Sequence, residues 1–370
     1  MLDRSNRVFG LDVLRALAIL FVVYGHGYSF IAKEISEKIY KIPVLDGVTM
    51  FFVLSGFLIG RILLRTIAKD NFNGKMLIEF WIRRWFRTLP NYFLILTFII
   101  ISFYLLNKPL PKDLLLYFFF SQNIASPHPD FFPEAWSLTI EEWFYLIMPI
   151  PLYLFTKLKN INQRRLTLYY IFLVILMVAT FRIYRVHIFN YSTISDWDLS
   201  LRKQVVTRID SLMFGVFGAY ISLYQIRFWN NSANKLFAVG IILLFLNKIM
   251  GYTTNDIFYR NYFLFTINSV SALLLLPKLS LWKESTSRLA SVVTFISLTS
   301  YSMYLLNLTP VQIIIFPILM KFLSNFCENF NNSSLLKYVL YWIITIGGAF
   351  LVYQYFERPM TALRDKWHIT

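Results

Sequence analysis

Ten apolar runs of helical length dominate this chain. They lie at roughly 9–32, 47–65, 90–107, 136–156, 166–185, 209–225, 236–252, 258–277, 289–308 and 335–356. About 20 apolar residues cross a bilayer as a helix, where every backbone polar group must be satisfied within the segment. The runs therefore predict an all-α, polytopic integral membrane bundle. A further apolar run, 311–319, follows Pro310 and is too short to span alone. It reads as a broken continuation of the ninth helix or as an interfacial piece. Composition agrees: of 370 residues, 57% are hydrophobic and only 15% charged, too little charge for a soluble domain of this size. The whole of 1–370 reads as one membrane domain with no appended soluble domain.

The net charge of +16 would suit nucleic acid, but Lys and Arg collect between the apolar runs, as membrane topology requires. No nucleic-acid partner is expected. With the N-terminus inside, the inner loops receive the larger share of basic residues, so both termini are expected in the cytoplasm. The single cysteine, Cys327, cannot form an intrachain disulfide, and no Cys/His cluster has zinc-like spacing, so no metal is expected. The first run is too long for a signal-peptide core and lacks a cleavage site, so it stays as the first span.

That span, "RALAILFVVYGHG" at 15–27, carries two ionisable groups, Arg15 and His26. Such groups inside a bilayer need partners or a polar cavity. Eleven helical residues return the chain to within about 20° of the same face and roughly 16 Å further along. Arg15 and His26 thus face one cavity from opposite depths. Arg15 reads as an ion pair with Asp12 three residues earlier, which leaves room for a functional role. His26 reads as a buried neutral histidine or as a proton-transfer group.

The second run, "GVTMFFVLSGFLIGRILLR", places Ser55, Gly56 and Gly60 within a span. The glycines predict close helix packing, and Ser55 can donate into a cavity. Next, "FWIRRWFRTLP" (80–90) sets Arg83, Arg84 and Arg87 in a basic loop before the third span, with Arg83 and Arg87 on one helical face. The cluster suits a topology anchor beside anionic lipid, or equally a cradle for a phosphorylated ligand. In "FPEAWSLTIEEWFYLIMP" (132–149), Glu141 and Glu142 open the fourth run, at the expected depth of His26. A carboxylate there can orient an imidazole. Alternatively it caps the helix or pairs with Arg182 or Arg185. Glu134 reads as a structural loop residue.

Taken in order, "GLDVLRALAILFVVYGH", "FFVLSGFLI", "RRWFR", "WSLTIEEWFYLIMP", "RIDSLMFGVFGAY", "SYSMYLLN" and "FERPM" resemble the acyltransferase-3 family of membrane acyltransferases. The resemblance runs from about residue 9 to 364. It implies about ten spans, an acyl-CoA donor (acetyl-CoA in many members) taken from the cytoplasm, and a hydroxyl acceptor on a sugar or lipid-linked glycan at the outer face. It also implies a bacterial cytoplasmic (inner) membrane. By position, His26 matches the catalytic histidine and Arg15 its paired arginine. Arg83, Arg84 and Arg87 match the donor-binding motif, and Ser137, Glu141 and Glu142 fall in the "WSL..EE" motif. The family often has histidine where this chain has Asn307.

Joining this to the helix geometry gives an expected mechanism. CoA phosphates rest on Arg83, Arg84 and Arg87, and Arg15 holds the donor or polarises its carbonyl. His26, oriented by Glu141 or Glu142, deprotonates the acceptor or carries the acyl group itself. Asp12, Ser55, Ser137 and Asn307 are expected in the cavity. The competing readings are acylation of a small metabolite or lipid, and a transporter or flippase with half-helices at mid-membrane.

Overall fold

The computed structural model describes residues 7–30, 45–68, 72–158, 161–189, 191, 193–253, 256–324 and 334–364. Cys327 lies outside them. Ten helical segments are long and apolar enough to cross a membrane, and no strand occurs among the described residues. The long helices are α1 (Phe9–Gly27), α2 (Gly47–Ile67), α3 (Gly74–Leu105), α4 (Ala135–Ile147), α5 (Gln163–Phe189), α6 (Asp210–Tyr224), α7 (Ala233–Lys248), α8 (Leu264–Leu281), α9 (Ala290–Leu306) and α10 (Ser334–Val352). The chain is an integral membrane helical bundle.

Local chemistry sets several helix starts. Asp46 accepts from the Thr49 backbone N–H at 3.1 Å and opens α2, and Asn73 does the same for Met76 at 3.0 Å and opens α3. The third span is longer than its apolar run. It is one 32-residue helix that passes through Pro90 without ending. Neighbouring helices and local hydrogen-bond adjustment make this tolerable in a membrane bundle. The segment expected as a basic loop is thus helical. Beyond α9 the chain continues as wide π-type turns over Asn307–Ile315, around Pro310, and then as a helix over Phe316–Ser324. Of the two readings for 311–319, it is the continuation of the ninth span.

The centre of the bundle is α2 and α6, which bury most of their surface, while α3, α5, α7 and α10 stand outside. On α5, Phe172, Leu173, Leu176 and Met177 are exposed, as a lipid-facing stripe should be. The α2–α6 contact explains two glycines. A Cβ on Gly56 would stand 1.9 Å from the Leu212 carbonyl oxygen, and one on Gly215 would stand 2.1 Å from that of Val53. The expectation that small residues here bring two helices together agrees with this packing. Behind α6, Arg182 and Asp210 form a fully buried ion pair at 2.8 Å. Arg182 is therefore committed to Asp210 and not to Glu141 or Glu142.

α1 and α9 run side by side in the same direction. Ser297 of α9 donates to Asp12 at 2.8 Å near one end of α1, and Asn307 meets His26 near the other. α2 and α4 start near His26 and run back towards Arg15. This arrangement fixes the depth of every polar group discussed below.

Candidate active site

Two polar cavities lie along α1. The first, about 110 Å³, is lined by Arg15, Ser55, Arg84, Arg87, Ser137 and Glu141, among others. The second, about 240 Å³, is lined by His26, Asp46, Glu134, Arg202, Lys203 and Lys248, among others. Val48 and Tyr304 line both, so these two side chains form the wall between them. Tyr304 is held in place by Ser137 Oγ, 2.6 Å from its hydroxyl, and by the Glu134 carbonyl, to which it donates at 3.1 Å.

At the Arg15 end, the Asp12 carboxylate is shared. Arg7 Nε donates to it at 2.9 Å and Ser297 Oγ at 2.8 Å. Arg15 Nη1 stands 3.9 Å away, the outer limit of an ion pair. The expected Arg15–Asp12 pair is thus weak in geometry, and Arg7 is the closer partner. This leaves the Arg15 guanidinium lining the cavity.

Glu141 and Glu142 are at this end too. Glu141 accepts from Ser55 Oγ at 3.3 Å and from Tyr145 Oη at 2.6 Å, and Glu142 accepts from Thr88 Oγ1 at 2.7 Å. Neither is hydrogen-bonded to His26. The reason is helical rise. α4 starts near His26 and descends about 1.5 Å per residue, so Glu141 lies roughly 10 Å deeper than Glu134. Of the three arginines, Arg84 and Arg87 line the cavity and Arg83 does not. The inward pair is spaced i, i+3 along a continuous α3, in place of the expected i, i+4 pair. Asn91 and Glu357, which share a hydrogen bond at 3.1 Å, and Ser302, 2.5 Å from the same carboxylate oxygen, form a polar cluster beyond Tyr301. Glu357 lies in "FERPM", but no spacing rule links it to α9.

At the other end, His26 Nδ1 stands 2.5 Å from Asn307 Oδ1. The Asn307 amide nitrogen donates to the carbonyls of Met303 at 3.0 Å and Tyr304 at 2.7 Å. Its orientation is therefore set, with the oxygen towards the imidazole. A carbonyl oxygen only accepts, so Nδ1 carries the proton and Nε2 of the neutral ring keeps its lone pair. Gln312 also donates to the His26 backbone carbonyl at 2.7 Å, which anchors this end of α1 against the π-type turns.

Glu134 is one of two carboxylates that share a cavity with His26. It accepts from the Thr309 N–H at 2.5 Å and the Thr309 hydroxyl at 2.6 Å. Burial pushes its carboxyl up to about 7, against the pull of the Thr309 bonds. Sequence position just outside the apolar run hid it. Asp46 faces the same cavity. Burial raises its carboxyl, but Arg202, Arg208 and the Thr49 bonds outweigh this and leave it below the ordinary range. Among the described residues no cluster of three or more His, Cys, Asp or Glu is placed to hold a metal ion.

Fold and cavities together define a class: a polytopic membrane protein with two adjoining cavities, both lined by charged and polar side chains, within a helical bundle. The family follows from comparison. Residues 8–354 match the model described as an acyltransferase domain, and the chain belongs to that family of membrane acyltransferases. It is 36% identical over 168 residues to the peptidoglycan O-acetyltransferase OatA of Listeria monocytogenes, which covers 40% of this chain and 25% of that protein. It is 26% identical over 378 residues to a putative O-acetyltransferase of Staphylococcus aureus (strain COL), covering 95% of this chain and 56% of the relative. With the O-acetyltransferase OatA of Staphylococcus aureus (strain NCTC 8325) it shares 33% over 160 residues, 38% of this chain and 24% of that one. The chain thus spans between a quarter and just over half of these relatives' length. No solved structure gives a significant match.

Proposed function

We propose that this protein moves an acetyl group from acetyl-CoA, bound at the Arg15 end, to a glycan hydroxyl bound at the His26 end. One observation carries this reading. Two polar cavities meet wall to wall at Tyr304 and Val48, one bordered by arginines and the other by a histidine with a set tautomer. A transporter needs one site that faces two ways. A transferase with donor and acceptor on opposite sides needs two sites that meet. The Listeria relative is named a peptidoglycan O-acetyltransferase, which supports a glycan acceptor and an acetyl group. The basic bias of the loops supports a cytoplasmic position for the Arg15 end.

Arg84 and Arg87 border the first cavity as paired guanidinium forks, suited to the phosphates of CoA. The cavity itself is small, so only the thioester end of the thin pantetheine arm enters it. Arg15 is directed at the thioester carbonyl oxygen and stabilises charge as it develops there. Ser55 and Tyr145 hold Glu141 beside this position, and Thr88 holds Glu142. Both carboxylates act here as positioning groups for the donor and its arginines.

At the other end the acceptor hydroxyl gives its proton to His26 Nε2 as its oxygen attacks the thioester carbonyl carbon. The new C–O ester bond forms, the C–S bond breaks, and the departing CoA sulfur takes up a proton. Tyr304 must swing aside for the two substrates to meet. Asn307 keeps Nδ1 protonated throughout and so replaces the carboxylate partner that a histidine base often has.

The test is transfer of labelled acetyl from acetyl-CoA into the glycan fraction of membranes containing wild type or His26→Ala, at equal amounts of folded protein. Label in wild type that is absent in the variant is expected. Label that persists in His26→Ala removes His26 as the base.

A further inference from the structure

A third cavity, of about 740 Å³, separates α4 from α5. Trp143 and Ile147 of α4, Val174, Val178 and Phe181 of α5, and Met213 of α6 line it, among others, and no lining side chain is charged. Two of its polar groups are spent elsewhere. The Trp143 indole N–H donates to the Phe120 carbonyl at 2.8 Å, and the Thr180 hydroxyl donates to carbonyls of its own helix at 2.9 Å. Such a space offers water few partners. Left empty, it forfeits packing for every side chain around it.

Its place in the fold says what fills it. α4 and α5 both belong to membrane spans. Met177 sits in this lining and also in the lipid-facing stripe of α5, so the cavity opens onto hydrocarbon. Along α5 the lining runs from Tyr170 to Tyr184, about 21 Å at 1.5 Å per residue. One hydrocarbon leaflet is roughly 15 Å deep, half of about 30 Å. The slot can therefore take the full depth of an acyl chain that enters from one leaflet.

The slot has a cation at its mouth. Arg185 follows Tyr184 in α5 and donates to the carbonyls of Ala125 and Ser200, both at 3.4 Å, to Gln204 Oε1 at 3.2 Å and to the Tyr191 hydroxyl at 3.3 Å. Ala125 and Gln204 are the chain neighbours of Ile124 and Val205, which line the slot. All four acceptors are uncharged, and among the described residues no carboxylate lies within ion-pair distance of Arg185. Arg182, one turn earlier, is met by Asp210; Arg185 lacks such a partner. A guanidinium at the end of an apolar slot suits a phosphate joined to a hydrocarbon chain.

We propose that this cavity is a phospholipid site: one acyl chain fills the gap between α4 and α5, and the lipid phosphate meets Arg185. The chain packs on Val205 and Val206, whose N–H groups donate to the carbonyls of Asn123 at 3.1 Å and Ile124 at 3.2 Å. The residues just before them, Arg202 and Lys203, line the His26 cavity. The bound lipid thus braces one wall of that cavity from behind.

The experiment is titration of the delipidated full chain, in detergent, with phosphatidylglycerol, with diacylglycerol of the same chains, and with a polyprenyl phosphate. Native mass spectrometry counts the lipid retained. One phosphatidylglycerol per chain is expected, bound about tenfold or more tightly than diacylglycerol, with the advantage falling as salt rises. Arg185→Gln removes that advantage and Arg185→Lys keeps part of it. Val174→Trp, which fills the slot, weakens both lipids, while Leu173→Trp on the lipid-facing stripe weakens neither. If Val174→Trp does not fold, the two Arg185 variants decide alone. Equal binding of phosphatidylglycerol and diacylglycerol overturns the proposal, as does an advantage that survives Arg185→Gln. A polyprenyl phosphate that binds more than tenfold more tightly than phosphatidylglycerol, with the same sensitivity to Arg185→Gln, overturns the choice of phospholipid.

Discussion

Asn307 holds His26 in one tautomer. Its Oδ1 lies 2.5 Å from Nδ1 of the imidazole, and its own amide hydrogens are spent on two carbonyls one turn back along α9. The amide cannot turn over without losing both of those bonds, so the proton on Nδ1 and the lone pair on Nε2 follow from backbone geometry.

Replacing that amide tests the point. Asn307→Leu keeps the volume and removes the acceptor, and kcat should fall by about 10–100-fold, part of the roughly 10²–10⁴ that a general base supplies. Asn307→Asp should retain more activity but move the rising limb of the pH–rate profile to higher pH. A carboxylate favours the imidazolium, and only the neutral ring acts as base. A profile that stays in place in Asn307→Asp would separate Asn307 from the proton transfer.

Glu134 predicts a pH-dependent stability. Burial raises its folded-state value to about 7 from an ordinary 4.5. Between these values the folded chain keeps a proton that the unfolded chain has lost. The stability contributed by this group is therefore full below about 4.5 and is lost as the pH rises to about 7. Thermal unfolding in detergent between pH 4.5 and pH 8 should show this slope in wild type and a flatter one in Glu134→Gln.

The three arginines proposed to hold the donor are not equivalent in position. Arg84→Ala and Arg87→Ala should each raise the KM for acetyl-CoA by about tenfold, the loss of one charge-assisted phosphate contact. Arg83→Ala, whose side chain does not line the cavity, should change it less than threefold on the same scale. Steady-state CoA release against donor concentration reads all three. Equal effects would return the cluster to a lipid anchor.

Packing of α2 on α6 leaves no room at Gly56. Its Cβ would fall 1.9 Å from a backbone oxygen, which no rotamer relieves. Gly56→Ala should cost about 1–3 kcal/mol through backbone displacement, seen as a lower unfolding temperature and less monodisperse protein. Gly347→Ala, where a Cβ meets nothing within 4 Å, is the matched control.

The bundle was legible because run length in a bilayer is a strict constraint. Arg15 and His26 stood out because an ionisable group inside an apolar run needs a partner or a polar cavity, and each does line one. What misled was depth. Glu141 and Glu142 looked level with His26 because the start of their run was read as the membrane face. Yet Glu134, outside the run, occupies that level. The arginine pair was misjudged for a related reason. Pro90 looked like the beginning of a helix that starts at Gly74, so the face shared by Arg84 and Arg87 was hidden. Arg202, Lys203 and Asn307 meet His26 only through folding, from segments 176 or more positions away in the chain, and no local spacing encodes that.

The wall made by Tyr304 and Val48 has an electrical consequence. If the two recesses open to opposite faces, as the proposed function requires, the low-dielectric path across the membrane shrinks to about the thickness of one phenol ring. The membrane field is then focused there, where 100 mV is worth about 2.3 kcal/mol for each elementary charge that crosses. A neutral acetyl group passes this point without feeling the voltage, whereas a proton does not. A swinging Tyr304 that admits the first and excludes the second would let the cell decorate its exterior without discharging its membrane.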